Sequence, residues 1–273
     1  LFFGIQGGAV NNNGTADRSD DVSTQAGGYG TLTVNAGSGA YEYTPDAAAI
    51  ETLAEGQVVT DTFTVTVDDD DADAPITQTY NVVLTGANDQ PIITLTSADN
   101  GDLVENDISP VVNFSVNVVD IDLTDNVQMT ITGPTIGNAG GAPGDAAAAA
   151  VADGFTGAGL VTPVSGNVPA DAPIGSPIAY QFNAGAETFD FLAQGEVLEL
   201  VYTLTADDQQ GQPNSTDTQT FTVRIEGTND APIIDVIAGT DSNSGNHTET
   251  NAAVPPVTGT LTTIELDVSD VVN

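Results

Sequence analysis

The sequence contains almost no basic side chains. Arg18 and Arg224 are the only two among 273 residues, and 39 aspartate and glutamate residues give a formal net charge of -37 at pH 7. Binding to a phosphate backbone or to an anionic lipid surface depends on clusters of Lys and Arg. The composition therefore excludes nucleic acid as a direct partner. No apolar run approaches the roughly 18 residues of a membrane span, so we expect no direct membrane insertion.

Residues that commonly carry catalysis are also scarce. The chain has no cysteine, no tryptophan and one histidine, which removes thiolate catalysis, cysteine zinc sites and disulfide bonds. His247 lies in the polar stretch NSGNHTET, which is typical of a solvated loop. Paired acids can hydrolyse glycosides, but the tryptophan on which such proteins often stack a sugar is missing. We expect that the protein is not an enzyme.

The abundant residues favour strands and turns. The chain has 29 glycines and 14 prolines, and its apolar runs are rich in Val, Ile and Thr, which prefer strands. Alternation of apolar and polar residues predicts many short strands. Clear examples are residues 63–67, 80–84, 114–118 and 221–225. The sequence therefore predicts an all-β fold of Greek-key β-sandwiches.

An internal repeat indicates that these sandwiches are arranged in tandem. Residues 41–57 align without gaps on residues 180–196, residues 80–93 align on 221–234, and residues 109–125 align on 255–270. This predicts the C-terminal part of one domain over 1–90, a complete domain over 91–231 and the N-terminal part of another over 232–273. The complete domain carries a Gly/Ala-rich insertion, 133–177, which we expect to be a long loop with at most one short helix.

Two explanations of the partial domains remain open. The chain is either a piece of a longer concatemer, or a subunit whose partial domains are completed by neighbouring subunits through strand addition. In the second case, the segment LFFGI at residues 1–5 is a candidate donor strand.

Acidic residues gather at the boundaries between the repeats. Between the first and second domains lie Asn88, Asp89, Glu105, Asp120, Asp122 and Asp125, and between the second and third lie Asn229, Asp230, Glu265 and Asp267. Asp207 and Asp208, in the turn before the last strand of the second repeat, provide one further candidate ligand. Carboxylate and amide oxygens are the ligands that Ca²⁺ prefers. The pattern predicts calcium sites that lock one domain to the next.

Two alternatives explain the same acids without a bound metal. Asp and Asn favour turns, so these side chains could simply be solvated turn residues. The self-repulsion of so acidic a chain could also be relieved by diffuse counterions in a saline medium. A bound cation and diffuse counterions both remain compatible with the sequence.

Residues 189–232, which contain FDFLAQGEVLELVYTLTADDQQGQ and FTVRIEGTNDAP, resemble the VCBS-type cadherin-like repeat of large secreted adhesins of bacteria, the RTX type. Residues 41–91 resemble the same family. The resemblance implies immunoglobulin-like or cadherin-like sandwiches in a linear array, Ca²⁺ as the bound ion, and a secreted or cell-surface location. It implies adhesion or biofilm formation, with neighbouring repeats as partners and surface glycans or other cells as targets.

The resemblance also implies roles for individual residues. Glu105 matches the glutamate that opens a domain, Asn88–Asp89 and Asn229–Asp230 match the linker motif, Asp120 and Asp122 match the paired aspartates, and Asp207 or Asp208 matches the late aspartate. Glu265 and Asp267 repeat the paired position. The first Asp of the usual linker is replaced by Gly86 or Gly227, so an aspartate at Gly86 is expected to tighten an ion site.

These observations favour a structural extender with calcium-rigidified junctions. One alternative is a filament subunit that joins head to tail by strand complementation. The other is a module that binds a glycan or another ligand through the insertion 133–177.

Overall fold

The computed structural model describes most of the chain. The described residues are 1–71, 73–98, 101–105, 111–139, 145–164, 177–237, 241–242, 244–246, 248–249 and 256–267. Within these ranges the chain forms 17 β-strands and two short α-helices, which confirms the all-β prediction. His247 lies outside the described residues.

Short and medium-length strands follow one another along the chain. The strands are β1 Phe2–Ile5, β2 Ala9–Asn11, β3 Val22–Ala26, β4 Gly30–Asn35, β5 Tyr41–Pro45, β6 Val58–Asp68, β7 Ile76–Thr85, β8 Ile92–Ala98, β9 Asp102–Val104, β10 Val111–Val119, β11 Gln128–Asn138, β12 Val161–Pro163, β13 Ile178–Asn183, β14 Val197–Asp207, β15 Thr216–Glu226, β16 Ile233–Asp235 and β17 Thr262–Ile264. The α-helices are α1 Ala47–Ile50 and α2 Ala146–Asp153. In the described part of the chain, no helix is both long enough and apolar enough to span a membrane.

Strands β1 to β7 form two sheets around one small core, and we call this unit the N-terminal sandwich. One sheet has the order β1-β6-β7 and the other the order β2-β3-β4-β5. Ile5 and Phe63 from the first sheet are buried together with Leu32 and Val34 from the second. Strand alternation explains this packing, because Leu32 and Val34 point inward while the residues between them face outward.

Strands β8 to β15 form the larger central sandwich. Its sheets have the orders β12-β13-β10-β8 and β11-β14-β15-β9, and β9 runs parallel to β15. Every second residue of β10, β13 and β14 is buried in one continuous core. Within it Phe114 stacks on Tyr180 and Phe221, with ring centroids 5.4 and 3.8 Å away. Strands β10 and β14 belong to different sheets and both line this core.

Strands β16 and β17 form a separate antiparallel pair. Ile233 pairs with Ile264, in the same register in which Ile92 pairs with Val119 in the central sandwich. The pair β16–β17 is therefore the structural equivalent of β8–β10, as the alignment of residues 109–125 on 255–270 indicates.

One turn occurs in both sandwiches and accounts for the best-aligned part of the repeat. The N–H of Gly86 donates to the carbonyl oxygen of Gln57 at 2.9 Å, and the N–H of Gly227 donates to that of Glu196 at 2.8 Å. A Cβ atom on Gly86 would collide with the backbone oxygen of Leu53. The expectation for an aspartate at Gly86 is therefore wrong, because any side chain there would displace the turn before it reached an ion.

The described part of the insertion 133–177 folds onto the central core and does not project as a loop. Strand β11 continues to Asn138, and α2 begins after Asp145, whose Oδ1 accepts from the N–H of Ala148 at 3.1 Å. Ala150 of this helix is fully buried. The hydroxyl of Tyr202, in the centre of β14, donates to the carbonyl oxygen of Gly157 at 2.9 Å. Residues 140–144 and 165–176 of the insertion lie outside the described residues.

Candidate metal centre

Three buried aspartates form an acidic cluster at one end of the central sandwich. Asp120 directly follows β10, Asp125 lies in the turn after it, and Asp208 directly follows β14. Each offers one carboxylate oxygen, and these oxygens lie within 4.8 Å of one another. The exposed fractions of the three residues are only 2%, 7% and 1%. Three buried like charges this close together need either a proton or a cation between them.

The strand pattern explains why two of these carboxylates meet. Residues 112, 114, 116 and 118 of β10 face the core, and Asp120 occupies the next inward position. Residues 200, 202, 204 and 206 of β14 face the same core, and Asp208 occupies the next inward position. Each inward-facing series thus ends in an aspartate at the rim of the sandwich. The sequence signal is an apolar alternation whose last inward position is acidic.

Backbone donors hold one oxygen of two of these carboxylates. Asp120 Oδ1 accepts from the N–H of Asp122 at 3.0 Å, and Asp208 Oδ1 accepts from the N–H of Gln210 at 2.9 Å. Asp120 Oδ2 and Asp125 Oδ2 are buried and have no hydrogen-bond partner among the described residues. Buried polar atoms without a partner are rare and costly, so these oxygens mark where a ligand would bind.

The linker between the two sandwiches contacts this cluster directly. Asn88 Nδ2 donates to Asp208 Oδ2 at 3.1 Å, and the N–H of Asp89 donates to Asp122 Oδ2 at 2.8 Å. Asn88 is also fixed from the other side, because its N–H donates to Glu55 Oε2 of the N-terminal sandwich at 3.0 Å. The linker therefore connects side chains of both sandwiches.

Two further buried oxygens at the linker are also without a partner in the described chain. They are Asn88 Oδ1 and Asp122 Oδ1, on residues that are 9% and 1% exposed. We use the name first acidic site for the set Asn88, Asp89, Asp120, Asp122, Asp125 and Asp208.

The electrostatics of the first acidic site favour a cation. Burial raises the pKa of Asp120, Asp122 and Asp125, and neighbouring carboxylates raise it further, to about 6 for Asp122. Both basic side chains are occupied elsewhere, since Arg18 pairs with Asp70 and Arg224 pairs with Glu199. No guanidinium or ammonium group is therefore available to neutralise the site.

The donor set fits a hard divalent cation. Four of its buried side chains, those of Asn88, Asp120, Asp122 and Asp125, each carry an oxygen without a hydrogen-bond partner among the described residues, and Asp208 adds a fifth buried side chain. Ca²⁺ accepts six to eight oxygens from carboxylates, amides, carbonyls and water. The chain has no cysteine and its single histidine is distant in sequence, so the nitrogen and sulfur ligands of zinc are absent from this set. A bound Ca²⁺ would be held by Asp120, Asp125 and Asp208, with Asn88 and Asp122 beside them.

A second acidic site lies where β16 and β17 join the central sandwich. The N–H of Asp230 donates to Asp267 Oδ2 at 3.1 Å, which repeats the contact between Asp89 and Asp122. Asn229 Nδ2 donates to the carbonyl oxygen of Asp230 at 3.0 Å, which repeats a contact of Asn88. The linker geometry is therefore the same at both boundaries.

Glu105 belongs to this second site and not to the first. Its Oε1 accepts from Thr228 Oγ1 at 2.8 Å, and its backbone N–H donates to Glu226 at 3.0 Å. Burial, with the charges of Asp230 and Asp267, raises the pKa of Glu105 to about 7. The prediction that placed Glu105 between the first and second domains was wrong, because β9 runs parallel to β15 and so carries Glu105 to the far end of the central sandwich.

Three other predicted ligands have different surroundings. Asp207 is the outward-facing residue of its pair, and its Oδ1 accepts from the N–H of Gln209 at 2.7 Å. Asn229 is exposed. Glu265 is half-buried. It lies near Asp230, whose pKa is raised first by its own burial and then by the charges of Asp190 and Glu265.

Sequence reasoning missed two residues that shape the first acidic site. Asn214 Nδ2 donates to the carbonyl oxygen of Asn88 at 2.5 Å, and Glu55 holds the N–H of the same residue. Glu55 lies inside the repeated turn, and the alignment of residues 41–57 on 180–196 could have marked it as a residue near the junction. Asn214 lies in a polar turn and nothing in its sequence neighbourhood marks it.

Comparison with known proteins gives only distant likenesses. No family model matches the chain, and a search of curated proteins gives no match. Among solved structures, the chain is similar to domains EC1–4 of Drosophila N-cadherin, with a TM-score of 0.32 and 15% identity over 81% of this chain and 45% of that one. It is similar to mouse protocadherin-24 EC1–3, with a TM-score of 0.30 and 16% identity over 98% and 67% of the two chains.

A third likeness is to the cadherin-like domains 1 to 4 of zebrafish RET, with a TM-score of 0.28 and 11% identity over 76% of this chain and 40% of that one. The chain spans less than half of the Drosophila and zebrafish chains. At such scores the likeness carries no argument about the function of this chain.

Proposed function

We propose that the chain is a structural extender of a secreted bacterial cell-surface adhesin or extracellular filament, built from tandem cadherin-like domains over 1–90, 91–231 and 232–273. Calcium ions at the junctions set the stiffness of the array. The observation that carries the proposal is the first acidic site, in which buried carboxylate oxygens without partners lie against the linker from the preceding sandwich.

The contacts explain how an ion would connect two domains. Asn88 and Asp89 belong to the linker, whereas Asp120 and Asp208 end strands of the central sandwich. A cation bound to both groups would hold the linker against the sandwich, close to the direct contact in which the N–H of Leu123 donates to the carbonyl oxygen of Thr52 at 3.4 Å. Without a cation, repulsion among the carboxylates would favour opening at the same place.

The second acidic site extends the proposal to the next junction. Asp230 and Asp267 repeat the contact of Asp89 and Asp122, and Glu105 adds a carboxylate from the end of the neighbouring edge strand β9. We propose that this site also takes Ca²⁺. The secreted location belongs to the same proposal, because calcium modules outside cells bind the ion at the millimolar concentrations present there.

The experiment that tests the proposal compares the chain in three solutions of equal ionic strength. The first contains calcium, the second contains magnesium, and the third contains a chelator together with sodium chloride. Small-angle scattering reports the length of the particle, calorimetric titration reports the number of ions, and a thermal melt reports stability. We expect calcium alone to stabilise the chain and to narrow its distribution of lengths, because ligand binding to the native state adds to stability.

The alternative of diffuse counterions predicts a different result. If screening alone relieves the repulsion, sodium chloride at matched ionic strength will stabilise the chain as much as calcium does. Identical melts and scattering profiles in calcium and in chelator would reject the calcium clamp.

A further inference from the structure

A groove of about 490 Å³ lies between the N-terminal sandwich and the central sandwich, and we call it the junction groove. One wall comes from Glu51 and Thr52, which directly follow α1. The floor consists of four aliphatic side chains of the central sandwich, those of Ile92, Val119, Ile121 and Leu123. Ligand sites in proteins have volumes of about 300–1,000 Å³, so the junction groove is large enough to hold a ligand.

The outward-facing positions of β8 and β10 change from polar to aliphatic where they reach this groove. Along β10 the outward side chains are Asn and Ser at residues 113, 115 and 117, and they become Val and Ile at residues 119 and 121. Along β8 they are Thr at residues 94 and 96 and Ile at residue 92. A solvent-facing sheet surface normally carries polar residues. The aliphatic residues are therefore concentrated at the junction groove.

Three of the four floor residues are exposed to solvent. The exposed fractions of Ile92, Ile121 and Leu123 are 58%, 44% and 57%. A single exposed aliphatic residue is common on protein surfaces. Three that line one groove and are bordered by polar residues are typical of a binding site. The floor therefore favours a ligand with a large apolar group.

Carboxylates form the rim of the junction groove. Glu51, on one wall, is exposed, and Asp89, in the linker, is half-buried. The residues that line the groove include no basic side chain. The formal net charge of -37 adds a longer-range attraction for cations. A ligand that complements both floor and rim is apolar in its centre and positively charged at its edges.

Neither this chain nor a second copy of it can supply such a ligand. The chain has two basic side chains, and both are paired with carboxylates, Arg18 with Asp70 and Arg224 with Glu199. A neutral sugar has no cationic group for the rim, and an anionic lipid surface would be repelled by it. A peptide can carry a large aliphatic side chain and basic side chains next to each other, so it meets both requirements.

We propose that the junction groove binds a peptide segment of a different protein in which a large aliphatic side chain is flanked by Lys or Arg. The aliphatic side chain packs on Ile92, Ile121 and Leu123, and its burial supplies most of the affinity. The basic side chains pair with the carboxylates of Glu51 and Asp89, which orient the segment and speed its association. The extender thus carries a partner-binding site in addition to its mechanical role.

The same residue types recur where β16 and β17 join the central sandwich. Ile233 pairs with Ile264 in the register of the aliphatic pair on the groove floor. Asp190 and Asp230 align with the two carboxylates of the rim. We therefore expect the second junction to bind the same class of peptide, and a ligand with two such segments to bind more tightly than a ligand with one.

The first test measures the binding of four fluorescent peptides to the full chain by fluorescence anisotropy in calcium. The reference probe is Gly-Gly-Lys-Leu-Arg-Leu-Lys-Gly-Gly, and the comparison peptides replace both Leu with Ser, all basic residues with Gln, or all basic residues with Glu. We expect the reference probe to bind about tenfold more tightly than each comparison peptide, and its affinity to fall at high salt. Equal binding of the reference probe and the Ser peptide would indicate only a diffuse attraction of cations and would overturn the proposal.

Substitutions in the groove separate the floor from the rim. Ile92→Ser and Leu123→Ser each remove part of the floor and should weaken binding of the reference probe about fivefold. Glu51→Gln removes one rim charge and should weaken binding about twofold to threefold, an effect that high salt abolishes. The matched controls, Val151→Ser on α2 and Glu42→Gln on β5, are at exposed positions and should bind like the parent chain. A thermal melt checks that each variant is folded, and parent-like binding by both folded floor variants would contradict the proposal.

The second test locates the bound peptide with a thioether, since the chain has no cysteine of its own. Gln90→Cys places a thiol in the lining of the groove, and Thr79→Cys places one at an exposed position of β7 as the control. With a bromoacetyl group on the reference probe, Gln90→Cys should react about tenfold faster than Thr79→Cys, and equal rates would place the peptide elsewhere. Calorimetric titration with calcium is a separate readout, because the floor variants keep every residue of the first acidic site and should bind the ion like the parent chain.

Discussion

Replacing Asp120 with asparagine should stabilise the metal-free chain and weaken the calcium-bound chain. The carboxylate oxygens of Asp120, Asp125 and Asp208 lie within 4.8 Å of one another, and two unit charges at that distance repel by about 3.5 kcal/mol at an effective dielectric constant of about 20. Neutralising one of three charges removes two of the three repulsive pairs. The raised pKa values already relieve part of this repulsion, so we expect a net gain of about 1–2 kcal/mol.

Asparagine is suitable because it changes charge with little change in shape. Its Oδ1 can still accept the N–H of Asp122, which donates to Asp120 Oδ1 at 3.0 Å. Its new amide group can donate to Asp125 or Asp208. In chelator, the melting temperature should rise by about 2–8 °C, because 1 kcal/mol corresponds to about 2–4 °C in a protein of this size.

Calcium should reverse the order of stability. At a calcium concentration of about 100 times the Kd of the parent chain, linkage adds about 2.7 kcal/mol to its stability. The loss of one charged ligand should raise Kd about 100-fold, which leaves the variant about 0.4 kcal/mol of this stabilisation, a loss larger than the gain of about 1–2 kcal/mol from neutralisation. The assay is a thermal melt of both chains in calcium and in chelator, with Asp69→Asn, in an exposed turn, as a control for the same change in net charge. If Asp120→Asn shifts the melting temperature in the same direction in both solutions, Asp120 is not an ion ligand.

Three further outcomes follow from the structure. Burial raises the pKa of Asp122 to about 6 and that of Glu105 to about 7, so in chelator the native chain binds more protons than the unfolded chain. The stability of the metal-free chain should therefore fall as the pH rises from about 4 to about 7.5. The stabilisation by calcium should grow over the same range, and thermal melts at several pH values measure both effects. Asp61→Leu should destabilise the N-terminal sandwich by about 3 kcal/mol, because the carboxylate of Asp61 accepts from two backbone N–H groups and from Tyr43 Oη at 2.7 Å. In denaturant titrations, adding Tyr43→Phe should restore part of that loss. Full additivity of the two changes would contradict the pairing of Asp61 with Tyr43. Gly86→Ala should cost about 2 kcal/mol by displacing the repeated turn, and an unchanged melting temperature would show that the turn can shift freely.

The sequence predicted the strands and most of the first acidic site because both depend on local order. Strand alternation is a period-two signal, and in β10 and β14 it continues into Asp120 and Asp208, so their shared orientation could be read from the sequence. The position of Glu105 could not be predicted in this way. It depends on the parallel pairing of the three-residue strand β9 with β15, and residues so far apart in sequence carry no local signal for that contact.

The role of the insertion was also hidden from the sequence. A segment rich in Gly and Ala is typical of a loop, but the described part contributes a capped helix whose small side chains fit closely against the core, as Ala150 shows. Asp61 is a related case. Its counterpart in the repeat is Leu200, and only the three-dimensional contact with Tyr43 explains a buried carboxylate at an apolar position.

The placement of Asp120 and Asp208 at the last inward position of their strands also bears on how the sandwich assembles. A slip of one residue in β10 or β14 would turn the whole strand over and direct its terminal aspartate to the solvent. Only the correctly registered pair of sheets brings the two carboxylates together. An ion bound here would therefore stabilise the native strand pairing and not the pairings that are shifted by one residue. Ion binding at this end of the sandwich would thus select the correct strand register during folding.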